Sequence, residues 1–122
     1  MQLFLDDERD PNTPFWREEL YLLPGEWHWV KTVKEAIECL KTGNVKTVSL
    51  DHDLGQYGTQ DGIHTSGYDV AKWIEEHAYY KTLARIDWHV HTANPVGFQK
   101  IATALMNASK YWDANEKYSH GC

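Results

Sequence analysis

The chain has 122 residues, 42% hydrophobic and 25% charged, with a formal net charge of −6. That balance excludes disordered, collagenous and low-complexity classes, and a chain of this length can bury roughly 65% of its unfolded surface around one core. The acidic excess argues against duplex DNA as a partner, and no apolar run approaches the ~20 residues that a membrane helix requires.

One domain over residues 1–122 is expected, with its core at about 2–112 and a polar, fraying tail at 113–122. Residues 2–5 (QLFL) predict a short buried strand that runs into Asp6, Asp7 and Glu8. These acids interrupt any signal-peptide pattern, and Cys39 and Cys122 lie far apart with no C-x-x-C, so two free thiols in a cytoplasmic protein are expected. Residues 9–26 are broken by prolines, with a short helix predicted within 15–23. A second strand follows at 27–30. Thr32 and Glu35 then form a capping-box pattern for a helix whose inner face is Val33, Ala36, Ile37 and Leu40, and Gly43 ends it.

Residues 45–50 predict a third strand running into Asp51, His52 and Asp53. Residues 54–66 read as a long loop, and the region 55–67 holds four of the eight glycines (55, 58, 62, 67); loops of that length are commonly functional. Ser66 opens a helix with Val70, Ala71, Ile74 and Ala78 inward. Residues 86–91 predict a fourth strand, ending at His91 and Thr92. Asn94-Pro95 starts a last helix, with Phe98, Ile101, Leu105, Ala108 and Trp112 at helical spacing. Alternating strands and helices imply a parallel sheet with right-handed crossovers, which binds ligands beyond the carboxyl ends of its strands.

Three polar clusters fall on that edge. Residues 1–20 carry six acids and two bases, and residues 51–69 carry four acids and no base, so these two segments hold more negative charge than the whole chain. Carboxylates gathered this closely protonate, repel or share a cation. Asp6, Asp7 and Asp51 are therefore candidate ligands for a divalent ion, with Asp53 assisting, and an oxygen-only set suits Mg²⁺ or Mn²⁺. The plain alternative is that such acids cap turns, as Asp10 or Asp53 could. Asp51-x-Asp53-x-Gly55 is not an EF-hand, because the twelfth position is Gly62 rather than Glu.

His52 stands beside a candidate ligand, either as a general acid or base or as a solvated loop residue. His91 is the second candidate for proton transfer. His89 is expected to pack against a helix; His28, His77 and His120 are expected at the surface or in packing, and His64 lies in the glycine loop. The first turn of the last helix offers unpaired N–H groups to an anion, so Thr92, Asn94 and Gly97 are candidate phosphate-binding residues, Gly97 by admitting a ligand close to the backbone. The alternative is an ordinary capped helix. No P-loop and no G-x-S-x-G is present, and His64-Thr65-Ser66, the H-x-S of two-histidine phosphoesterases, sits on the glycine loop with no second strand-borne H-x-[ST].

The acidic pair Asp6-Asp7, the strand-end Asp51 and Thr92-Ala93 resemble a response-regulator receiver domain, but the fifth strand and the lysine that ends it are missing. Residues 3–11 (LFLDDERDP), 48–55 (VSLDHDLG), 66–74 (SGYDVAKWI) and 89–101 (HVHTANPVGFQKI) more closely resemble the cyclic-phosphate processing receiver-like family. That resemblance implies a receiver-like, flavodoxin-like α/β fold, with an open parallel sheet of about four to five strands and helices on both faces. It further implies a metal-dependent phosphoesterase for a 2′,3′-cyclic phosphate RNA end or a cyclic nucleotide, in RNA repair or phage–host conflict. A non-catalytic binder of a cyclic nucleotide signal and a degenerate receiver phosphorylated at Asp51 are the alternatives. Exposed Trp and Tyr would serve a homo-oligomeric contact.

Overall fold

The computed structural model describes residues 1–120, with side chains through Lys117. In chain order the elements are β1 (Gln2–Leu5), α1 (Pro14–Glu19), β2 (Trp27–Val30), α2 (Val33–Lys41), β3 (Thr47–Leu50), a 3₁₀ turn (Gly55–Gly58), β4 (Thr59–Gln60), β5 (Ile63–His64), α3 (Gly67–Tyr79), β6 (Asp87–Val90) and α4 (Pro95–His120). Four strands form one sheet in the order β2-β1-β3-β6, every neighbouring pair parallel, and β4 and β5 form a separate antiparallel ribbon. This is the receiver-like α/β arrangement expected from the sequence, with four strands.

Strand order explains where the helices go. The chain steps one way from β1 to β2 and the other way from β2 through β3 to β6, so right-handed crossovers place α1 on one face and α2 and α3 on the other. The second face is the main core. Leu3, Leu5, Val30, Val48 and Leu50 pack there on Ala36 and Leu40 of α2, Val70 and Ile74 of α3, and Ile101 and Leu105 of α4. Phe4 and Trp27 are buried on the first face. There the irregular segment after β1 covers them, with Asn12 bonding both the N–H and the C=O of Trp27.

Several local expectations shift. Thr32 caps α2 by accepting the Glu35 N–H, but the Glu35 carboxylate takes the Thr32 hydroxyl rather than its backbone N–H. The complete capping box is at Ser66 and Asp69 on α3. The glycine loop is not structureless: Asp61 and Gly62, both at positive φ, make the tight turn joining β4 to β5. Phe98 is exposed while the other inward positions of α4 are buried. That helix continues through the segment expected to fray, held by Arg85 reaching Asp113 and Glu116. Among the described residues Cys39 is a free thiol; Cys122 and the side chain of His120 lie outside them.

Candidate metal centre and its surroundings

The sheet register builds the site. Leu5 is level with Leu50, and Leu50 with Val90, so Asp6, Asp51 and His91 leave the three strand ends side by side. The ladder carries one residue further: Asp6 N–H donates to Val30, Asp51 N–H to Leu5 and His91 N–H to Leu50. Because each follows an inward leucine or valine, all three side chains turn to the face that carries Phe4 and Ser49.

Asp6 is fully buried and heavily bonded. One oxygen accepts the backbone N–H groups of Glu8 and Arg9 at 2.8 and 2.9 Å. The other meets Arg9 Nη1 at 2.7 Å and His91 Nε2 at 3.0 Å. Burial raises its pKa, but the bonds from His91, from the Arg9 and Glu8 N–H groups and from the Arg9 guanidinium outweigh burial and hold it at about 2. Asp51 is almost as buried, and its pKa is raised by burial and by the neighbouring Asp6 charge, against the pull of His91, Thr92 and Arg9. Asp51 Oδ1 accepts the His52 N–H at 2.8 Å, and its Oδ2 lies 3.6 Å from Arg9 Nη1.

Asp7 completes the cluster. One oxygen each from Asp6, Asp7 and Asp51 lies within 4.8 Å of the other two. Three hard oxygen donors at that spacing fit a divalent cation of the magnesium or calcium kind. Gly55, at φ +53, brings the loop after β3 down on Asp7; a Cβ there would stand 2.7 Å from the Asp7 carboxylate. Arg9 is the resident counter-charge, its guanidinium also lying 5.3 Å from the Trp16 ring centroid.

The histidines separate into different roles. His91 is nearly buried, stacks on Phe4 with ring centroids 4.2 Å apart, and has both nitrogens engaged, Nδ1 by the Ser49 hydroxyl at 2.7 Å and Nε2 by Asp6. Ser49 on the intervening strand is small enough to let that ring reach across to β1. His52 instead bonds through Nδ1 to Asp53 at 2.8 Å, and the other Asp53 oxygen takes the Asn94 amide at 3.2 Å. The hydrogen bond from His52 lowers the Asp53 pKa, burial opposes it, and Asn94 adds to the lowering. His89 does not pack against a helix: it is exposed on the edge strand β6, on the face opposite α3 and α4. His28 and His64 are exposed, and His77 stacks on Trp73. Asp10 caps a turn by accepting the Asn12 N–H.

The start of α4 is largely satisfied within the chain. Asn94 Oδ1 accepts Gly97 N–H, Asn94 O accepts Phe98 N–H, and Pro95 has no N–H, so what the first turn can offer an anion lies at Val96. The space a Cβ of Gly97 would need is filled by the His52 ring. Thr92 bonds Asp51 and accepts the Asn94 N–H.

Sequence reasoning brought Asp6, Asp7, Asp51, His52, Asp53, His91, Thr92 and Asn94 to this edge, and the fold gathers them there. It missed Arg9, Ser49 and Trp29, whose indole N–H donates to the Asp6 carbonyl at 2.7 Å. Only the i to i+3 spacing of Asp6 and Arg9 hinted at the first. Among the described residues, no helix is long and apolar enough to cross a membrane. A family model described as the cyclic-phosphate processing Receiver domain matches residues 1–107. No curated protein and no solved structure matches the chain.

Proposed function

From the premise that the chain belongs to the cyclic-phosphate processing receiver family, we propose that it is a cytoplasmic metal-dependent phosphoesterase that opens a cyclic phosphate. Its ligand on this reading is a 2′,3′-cyclic phosphate RNA end or a cyclic nucleotide, met in RNA repair or phage–host conflict. The observation that carries the reading is the convergence of Asp6, Asp7 and Asp51 within 4.8 Å at the carboxyl edge of the sheet. These three residues would hold Mg²⁺ or Mn²⁺, which when bound supplies neutralisation of phosphate charge and a more acidic water.

The remaining chemistry belongs to the chain. Asp53 accepts from His52 Nδ1 and so fixes the tautomer that leaves Nε2 as the basic atom. His52 then takes a proton from the attacking water as the bond from phosphorus to a ribose oxygen breaks, and returns it to that oxygen. His91, with both nitrogens engaged, positions Asp6 rather than moving protons. Thr92, the Asn94 amide and the Val96 N–H face the non-bridging oxygens, and the loop 55–67 closes over the ligand.

The test is turnover of 2′,3′-cyclic nucleotides with Mg²⁺ or Mn²⁺. Activity is expected to vanish with EDTA and in Asp51→Asn, and to fall by about 10²–10⁴ in His52→Ala. Unchanged turnover in Asp51→Asn sinks the reading, and tight binding without product makes the protein a binder.

A second reading, a receiver phosphorylated at Asp51, is favoured by one observation. A receiver needs a cation beside its phosphoacceptor, and Arg9 Nη1 lies 3.6 Å from Asp51 Oδ2. Acetyl phosphate with Mg²⁺ would then add the mass of one phosphoryl group.

A further inference from the structure

Beside the carboxylate cluster a second group of side chains gathers at the surface. Tyr68 follows Gly67, whose backbone is so close to Asp51 that a Cβ there would collide with the Asp51 carbonyl. Its half-buried ring packs against the core. Lys72, one turn along α3, and Lys100, one turn past Gly97 on α4, each hold an ammonium nitrogen 5.6 Å from the centroid of that ring. Gly97 in turn packs on His52, so the patch borders the site on its histidine side.

Charge makes this grouping informative. Both lysines are exposed, and neither forms an ion pair among the described residues. Residues 95–112 carry two lysines and no acid, in a chain of net charge −6. Two like charges brought to one ring repel each other, and the ring's quadrupole offsets only part of that repulsion. A phosphodiester between them offsets the rest. Ammonium groups around an aromatic ring are the combination that tracks a single nucleic-acid strand, and a ligand confined to the carboxylate site would not use them.

We infer that Tyr68, Lys72 and Lys100 form a subsite for the nucleotide adjoining the cyclic phosphate. The ligand is then a single-stranded oligonucleotide that ends in a cyclic phosphate, rather than a cyclic mononucleotide. This rests on the cyclic-phosphate reading of the neighbouring site.

The experiment compares wild type with the double variant Lys72→Ala/Lys100→Ala, whose exposed positions leave folding intact, as circular dichroism checks. Binding of a labelled octaribonucleotide ending in a 2′,3′-cyclic phosphate is read by anisotropy across salt concentrations, and turnover of that oligonucleotide and of a cyclic mononucleotide is followed in parallel. Wild type is expected to bind the oligonucleotide at least tenfold more tightly than the variant. The slope of log affinity against log salt should fall by about 1.4, at ~0.7 per phosphate contact on a single strand, and mononucleotide turnover should be unchanged. Equal affinity and equal slope in the two proteins overturn the subsite, as does oligonucleotide binding no tighter than mononucleotide binding. If the lysines govern oligonucleotide binding while neither ligand is turned over, the subsite stands and the phosphoesterase reading falls. Mononucleotide turnover with no gain from the longer strand is the reverse result.

Discussion

The loop leaving β1 and the loop leaving β3 each bury an aspartate at the same spot, yet the two carboxylates are pushed in opposite directions. Asp6 is held down at about 2, whereas Asp51 is raised. Burial opposes ionisation in both. What differs is the donor count: Asp6 collects two backbone N–H groups, a guanidinium and an imidazole, while Asp51 collects one N–H and the Thr92 hydroxyl and faces the Asp6 charge. The first loop is built to hold a negative charge without help. The second tolerates one at a cost that a bound cation would remove, which makes Asp6 an anchor and Asp51 the carboxylate that would respond to a cation.

The sharpest way to break this contrast is to truncate the anchor. Asp6→Ala strips the partner from a buried imidazole, a guanidinium and two backbone N–H groups, and breaking a buried charge network in this way costs about 3–5 kcal/mol. Urea unfolding should show that loss. A loss below 1 kcal/mol, the size of an exposed ion pair, would mean that Asp6 is no anchor.

Acid should remove part of the same contribution without mutation. The Asp6 pKa is lowered from 3.8 to about 2, so its stabilisation is complete above the unfolded value and is lost as the pH falls through the folded one. At ~1.4 kcal/mol per unit, about 2 kcal/mol disappears between roughly pH 4 and pH 2. Comparing wild type with Asp6→Asn cancels the other carboxylates, and the stability gap between them should narrow across that window. A constant gap would leave Asp6 with an ordinary carboxylate.

Asp51→Asn should move the other way. The raised pKa means that ionising the group costs the fold stability above the ordinary carboxylate range, so a neutral isostere is expected to stabilise the protein in metal-free buffer. Wild type is expected to gain in Tm with Mg²⁺ or Mn²⁺, and the same variant should lose that rise. If the substitution destabilises the metal-free protein, Asp51 is structural and the division between the two loops fails.

These two loops also show what the sequence makes readable. Acids that follow apolar strands without a gap, on neighbouring parallel strands, have to meet, and Asp6, Asp7 and Asp51 do. The family motifs pointed to the same edge, and the fold followed from the alternation of strands and helices. Arg9 was not legible, because its role depends on a side chain that turns back over Asp6 and Trp16. His89 was misread because period-two alternation says which residues share a face but not whether a helix covers it; with β6 at the edge, its outer face is bare. The first turn of α4 was read as offering N–H groups to a ligand, yet the Asn94 side chain takes the Gly97 N–H, since a good N-cap consumes the donors that an anion would use.

Arg9 gives the last and smallest comparison, because it touches both carboxylates unequally, 2.7 Å from Asp6 and 3.6 Å from Asp51. A divalent ion held by Asp6 and Asp51 would displace this guanidinium or share the carboxylates with it. Its side chain is a quarter exposed and stacks on Trp16, so it can swing outward without leaving an unpaired charge in the core. Displacement predicts that Arg9→Gln binds Mn²⁺ more tightly, by about three- to tenfold for a competing pair of ~1 kcal/mol, while metal-free stability drops slightly. Titration calorimetry at fixed pH reads this directly. Weaker binding in the variant would mean that the guanidinium holds Asp6 and Asp51 in place for the ion rather than standing in its way, and the two loops would then act as one unit rather than as anchor and responder.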